Sequence, residues 1–155
     1  MSTLINIWVD ADACPKTVRE ILFRVAERTK ITVTLIANQS IAIWPSRHIK
    51  FIQVNRGFDV ADNEIVARAS AGDLVITSDI PLAYEVLEKG GHVINFRGER
   101  YTQENIRELL NMRDFMDILR SSGVDCKSGP AAMTAKDSQQ FANQLDRFLA
   151  AASKA

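Results

Sequence analysis

The chain has 155 residues, of which 46% are hydrophobic and 25% are charged, with 19 basic side chains against 19 acidic ones. That composition describes one ordinary domain able to bury a core, expected to span residues 1–155 with a C-terminal helical extension over about 121–155. Zero formal net charge excludes a protein drawn to nucleic acid by its overall field. No apolar run is long enough to span a bilayer, no basic-then-apolar leader opens the chain, and Cys14 and Cys126 form neither a disulfide framework nor a zinc spacing, so a cytoplasmic protein is expected.

Leu4 to Val9 is a short β-branched and aromatic run that reads as a buried strand, and it ends on Asp10-Ala11-Asp12-Ala13-Cys14-Pro15-Lys16. Pro15 suits a first helical turn, and Val18, Ile21, Leu22, Val25 and Ala26 then fall on one helical face. Ile31 to Ala37 and Phe51 to Val54 read as strands, joined by a loop or short helix that carries Asn38, Trp44, Pro45 and His48. Arg56-Gly57-Phe58-Asp59 turns the chain into a helix from about Ala61 to Ser70, packed through Ile65, Val66 and Ala69 and ended by Gly72-Asp73. Leu74 to Thr77 is a strand. Ser78-Asp79-Ile80-Pro81 starts a helix with Leu82, Val86 and Leu87 inward, Gly90-Gly91 stops it, and Val93 to Phe96 is the next strand.

This alternation predicts an α/β sandwich with a largely parallel sheet, because parallel strands need crossovers and the crossover helices cover both faces. Thr102 is placed to cap a long helix buried through Ile106, Leu109, Leu110, Met116 and Leu119, and Ser121 to Met133 reads as a loop. Thr134 caps a last helix with Asp137 at its third position and Phe141, Leu145, Phe148 and Leu149 as the inner stripe.

Two carboxylates therefore sit where the first strand ends, and Asp59, Asp62 and Asp79 occupy similar junctions. In an open α/β sheet these places border the crevice beyond the carboxyl ends of the strands. Grouped carboxylates are what Mg²⁺ or Mn²⁺ require, so Asp10, Asp12, Asp59, Asp62 and Asp79 are candidate metal ligands, with Asp12 either a fifth ligand or a helix cap. Asp59 and Asp79 could equally be N-caps that satisfy helix-start amides. Cys14 is subject to opposite influences, a helix N-terminus that would lower its thiol pKa and two adjacent carboxylates that would raise it.

Val9 to Pro15, Gly57-Phe58-Asp59-Val60-Ala61-Asp62-Asn63-Glu64-Ile65-Val66, Thr77-Ser78-Asp79-Ile80-Pro81-Leu82-Ala83 and Gly129-Pro130-Ala131-Ala132-Met133-Thr134 resemble the YaiI/YqxD family of bacterial proteins over nearly the whole chain. That family in turn resembles the PIN-like superfamily of metal-dependent nucleases. The resemblance implies a three-layer sandwich with a five-stranded sheet in the order 3-2-1-4-5, and it implies catalytic acids at Asp10, Asp62 and Asp79. One departure stands out: Arg28 to Phe58 contains no Asp or Glu, although such nucleases usually take a second acid from a helix between the second and third strands. Asp12 or Asp59 would have to replace it.

The expected activity is metal-dependent hydrolysis of nucleic acid, with flexible single-stranded RNA as the favoured partner and Lys16, Arg56, Arg97 and Arg100 as candidate phosphate-binding residues. Two other readings are compatible with the same residues. One is a catalytically silent RNA-binding or regulatory domain. The other is a haloacid-dehalogenase-like phosphatase with Asp10 as nucleophile and Asp12 as general acid, although Cys14 stands where such sites want Thr or Val.

Overall fold

The computed structural model describes residues 5–57, 59–123 and 132–153. Its elements run β1 (Ile7–Asp10), α1 (Lys16–Thr29), β2 (Val33–Ala37), β3 (Ile49–Gln53), α2 (Val60–Arg68), β4 (Leu74–Ile76), α3 (Ile80–Glu88), β5 (His92–Ile94), β6 (Arg100–Tyr101), α4 (Gln103–Ser121) and α5 (Ala135–Ser153). The strands form one sheet in the order β3-β2-β1-β4-β5-β6. Every pairing is parallel except that of β5 with β6, so the predicted 3-2-1-4-5 order is present with one antiparallel strand added at the edge.

Strand periodicity sorts the core into two faces. Ile7 and Val9 point to the side covered by α1 and α5, where they pack with Val18, Leu22, Phe141 and Leu145. Trp8 packs on the opposite side with Ile65, Leu82, Val86 and Ile106 from α2, α3 and α4. The last helix is therefore half of one covering layer, through the Phe141, Leu145, Phe148 and Leu149 stripe that its spacing predicts. Burying each such large side chain is worth about 1.5–3 kcal/mol.

The switch in crossover direction falls between β1 and β4. Val9 pairs with Leu35 on one side and Ile76 on the other, so Asp10 comes level with Thr77 at the C-terminal end of both central strands.

Several expectations shift. The first strand begins at Ile7, and Leu4 lies outside the described residues. The third strand starts two residues early because Ile49 pairs with Val33, while Val54 still donates to the Ala37 carbonyl at 2.8 Å just beyond the strand. Residues 38–48 hold no helix. In α4 Ile106 is buried while Leu109, Leu110, Met116 and Leu119, also expected inside, are only half-buried, and Met112, Phe115 and Ile118 on the remaining face are exposed. Phe58, Cys126 and Gly129 to Ala131, together with most of the Ser121 to Met133 loop, lie outside the described residues. Among the described residues no helix is long and apolar enough to cross a membrane.

Candidate active site

Asp10 is the last residue of β1 and shares the face of Trp8, so its carboxylate turns toward α2 and α3. Thr77, fully buried one residue beyond β4, holds it there. The Thr77 hydroxyl donates to Asp10 Oδ2 at 2.8 Å and accepts from the Asp79 backbone N–H at 3.0 Å. A single hydroxyl thus fixes the spacing of two carboxylate-bearing strand ends.

Asp79 is the N-cap of α3 and accepts from the Leu82 N–H at 2.9 Å, as its position before Pro81 predicts. One oxygen meets that amide. Asp62, in the first turn of α2, stands three residues before the buried Ile65, which places it on the sheet-facing side of its helix. Its carboxyl lies within hydrogen-bonding reach of Asp79.

The electrostatics follow from that crowding. Partial burial, then the charges of Asp79, Asp10 and Asp59, push the Asp62 carboxyl up to about 7. Burial also raises Asp10, with Asp79 and Asp12 adding to the effect and the Thr77 hydroxyl opposing it. Among the described residues, the charges acting on Asp62 belong to the carboxylates Asp79, Asp10 and Asp59.

The remaining candidates divide. Asp12 is half-buried and accepts from the Asn38 backbone N–H through both oxygens, at 2.9 and 3.2 Å, so it ties the β1–α1 turn to the end of β2. Asp59 is exposed and precedes α2 in a left-handed conformation (φ 62°), where its side chain makes no capping bond. The turn leading to it depends on Gly57, whose φ of 153° is accompanied by a close approach that would set a Cβ only 2.9 Å from Val60 Cγ2.

Lys16 is exposed at the start of α1 and Arg56 in the β3–α2 connection. Arg97 reaches Asp137 at 2.6 Å and joins the β5–β6 turn to the capped start of α5. Arg100 turns to the opposite edge, donating to His92 Nδ1 at 2.8 Å and lying over the Phe148 ring at 5.4 Å. Cys14 is buried, and burial pushes its thiol up to about 12, which removes it as a nucleophile at neutral pH.

The donor set at the crevice is oxygen only, which suits a hard divalent cation. Among the described residues no three His, Cys, Asp or Glu groups are drawn close enough to form a ready-made metal centre. The chemistry of the donors fits such an ion.

Sequence reasoning missed Thr77, whose role depends on a neighbouring strand, and Tyr101, which sits on a strand of only two residues. It also missed Asp73 as an organiser of the other edge, where its carboxylate accepts from Asn6 N–H, Trp8 Nε1–H and Ser70 N–H at 2.9–3.0 Å.

A family model described as an uncharacterised bacterial YaiI/YqxD family matches residues 8–151. The chain belongs to the YaiI/YqxD family. Within that family it is similar to a UPF0178 protein of Thioalkalivibrio sulfidiphilus, 65% identical over 94% of this chain and 98% of the relative. Similar relatives occur in Pectobacterium carotovorum, 61% identical over 96% and 99%, and in Aromatoleum aromaticum, 64% identical over 94% and 96%. The YaiI/YqxD match takes in Asp10, Asp62 and Asp79 together with Thr77. No solved structure matches the chain.

Proposed function

We propose that this YaiI/YqxD protein is a PIN-like, divalent-metal-dependent phosphodiesterase that cleaves single-stranded RNA at the crevice between β1 and β4. The observation that supports this reading most is at the switch point of the sheet, where the Thr77 hydroxyl links the Asp10 carboxylate to the Asp79 backbone and the charges of Asp10 and Asp79 both act on Asp62. Asp10, Asp62 and Asp79 would hold Mg²⁺ or Mn²⁺, with Asp59 at the rim. When bound, the ion would polarise the phosphoryl oxygens and offset the negative charge that develops during cleavage.

The chain's own groups prepare for that chemistry. Thr77 fixes the orientation of Asp10, and the α3 amides fix Asp79. Asp62, whose proton is loosely held near pH 7, can give it up when a cation enters or accept one at the crevice. Lys16, exposed at the start of α1, and Arg56, exposed in the β3–α2 connection, would supply phosphate contacts without any long-range field.

The phosphatase reading loses support because Asp12 has both oxygens on the Asn38 amide and is poorly placed to act as a general acid. A catalytically silent RNA-binding domain gains support from one observation, the acid-free and helix-free connection between β2 and β3. Incubation of a short 5′-labelled RNA with wild type and Asp10→Asn in Mn²⁺ separates the two. Cleavage that drops about 100-fold or more in the variant is expected; binding without cleavage by wild type would favour the silent domain.

A further inference from the structure

Beside the acidic crevice lies a cavity of about 510 Å³, open between the β1–α1 turn and the β5–β6 turn. Ser78, which stands between Thr77 and Asp79, forms part of its wall, so cavity and crevice share a border. Pro15, Phe96, Tyr101 and Met133 supply apolar surface, with Glu99 at the polar side. Its size falls within the range of small-molecule sites, and apolar and aromatic walls with a few fixed polar groups suit a heteroaromatic ring.

Asn95 sets the polar side. Its carbonyl accepts from the Arg97 and Glu99 N–H groups at 3.0 and 2.9 Å, which locks the turn. Its amide donates to Glu99 Oε1 at 3.1 Å and to the Tyr101 hydroxyl at 3.3 Å. Asn95 is fully engaged, and it holds a carboxylate and a phenol side by side. Among the described residues Glu99 Oε2 and the Tyr101 phenolic proton have no hydrogen-bond partner. The charge of Asp79 also acts on the Tyr101 hydroxyl, which places this pair within electrostatic range of the crevice.

We infer that the cavity is a nucleobase subsite selective for guanine, seating the base next to the phosphate held at the acidic cluster. Guanine presents two adjacent N–H donors beside a carbonyl. Glu99 accepts from the donors, and the Tyr101 hydroxyl donates to the carbonyl. Adenine and cytosine place a ring lone pair where the second donor should be, and uracil offers a single N–H between two carbonyls, so each sets an acceptor against the carboxylate. The inference rests on the nuclease reading for the neighbouring phosphate, but base recognition itself requires no metal.

The test is titration of metal-free protein with guanosine, adenosine, cytidine and uridine 5′-monophosphates, followed by amide chemical shifts. Guanosine monophosphate is expected to bind about tenfold more tightly than the others and to shift Ser78, Phe96 and Gly98. Glu99→Gln should abolish the preference, and Met133→Trp, which fills the cavity from its rim, should abolish binding with the fold intact by circular dichroism. Equal binding of all four nucleotides, or shifts confined to other surfaces, overturns the subsite. Guanine-selective binding that persists while Mn²⁺-dependent cleavage is absent leaves the subsite standing and removes the nuclease; cleavage with no base preference does the reverse.

Discussion

Each end of β4 adjoins a carboxylate that is out of full contact with water, Asp73 directly before the strand and Asp62 on α2 beside its far end, and the two are treated in opposite ways. At the N-terminal end Asp73 is buried and accepts from three N–H groups, two of them on the β1 side of the sheet, so its charge is neutralised by fixed dipoles. At the C-terminal end Asp62 faces Asp79, Asp10 and Asp59, and its charge is opposed by like charges. A carboxylate that holds a fold together is given donors. One that is kept among other carboxylates lowers stability in isolation, and such sites are where ligands supply the missing charge.

The largest effect should come from removing the satisfied acid. Asp73→Ala leaves three N–H groups without their acceptor and is expected to lower unfolding stability by about 3 kcal/mol, read as a shifted urea midpoint at unchanged slope. A loss below about 1 kcal/mol would mean that water replaces the carboxylate and that the contrast between the two ends is false.

Relieving the crowded end should work in the other direction. The Asp62 carboxyl sits near 7 in the folded protein and near 3.8 when exposed, so between those values the folded state binds more protons than the unfolded one. The Asp62 contribution to metal-free stability therefore falls as pH rises from about 4 to about 7. Asp62→Asn should flatten that slope and raise Tm at pH 8 by about 2–6 °C, measured by calorimetry at a series of pH values. An unchanged slope would remove the like-charge account of this residue.

The alternation of strands and helices through β5 is legible in the sequence, since buried strands and amphipathic helices carry different periods, and Asp10, Asp62 and Asp79 are legible as junction acids. What depends on partners across the sheet is not. Nothing local in Ser70 to Asp73 announces that Asp73 meets Trp8, and nothing in Arg100-Tyr101 distinguishes an edge strand from a turn. Arg100 and Tyr101 alternate in direction, so the arginine goes to His92 and Phe148 while the tyrosine joins the crevice side. In α4 the apolar spacing marks the covered face, but how deeply that face is covered depends on its neighbours: Ile106 is buried, and Leu109, Leu110, Met116 and Leu119 are half-buried.

The smallest effect concerns Thr77, which acts through Asp10. Thr77→Val preserves shape, removes the 2.8 Å bond and should cost about 1 kcal/mol of stability, while weakening Mn²⁺ binding about tenfold. Stability loss with unaltered metal affinity would assign the hydroxyl to the fold alone.

The central claim, that the crowded edge awaits a cation, is tested most directly by isothermal titration of Mn²⁺ into wild type and Asp10→Asn at pH 8. One saturable site in wild type that weakens by at least about tenfold in the variant is the predicted result. No binding to wild type, or equal affinity in both proteins, would contradict it.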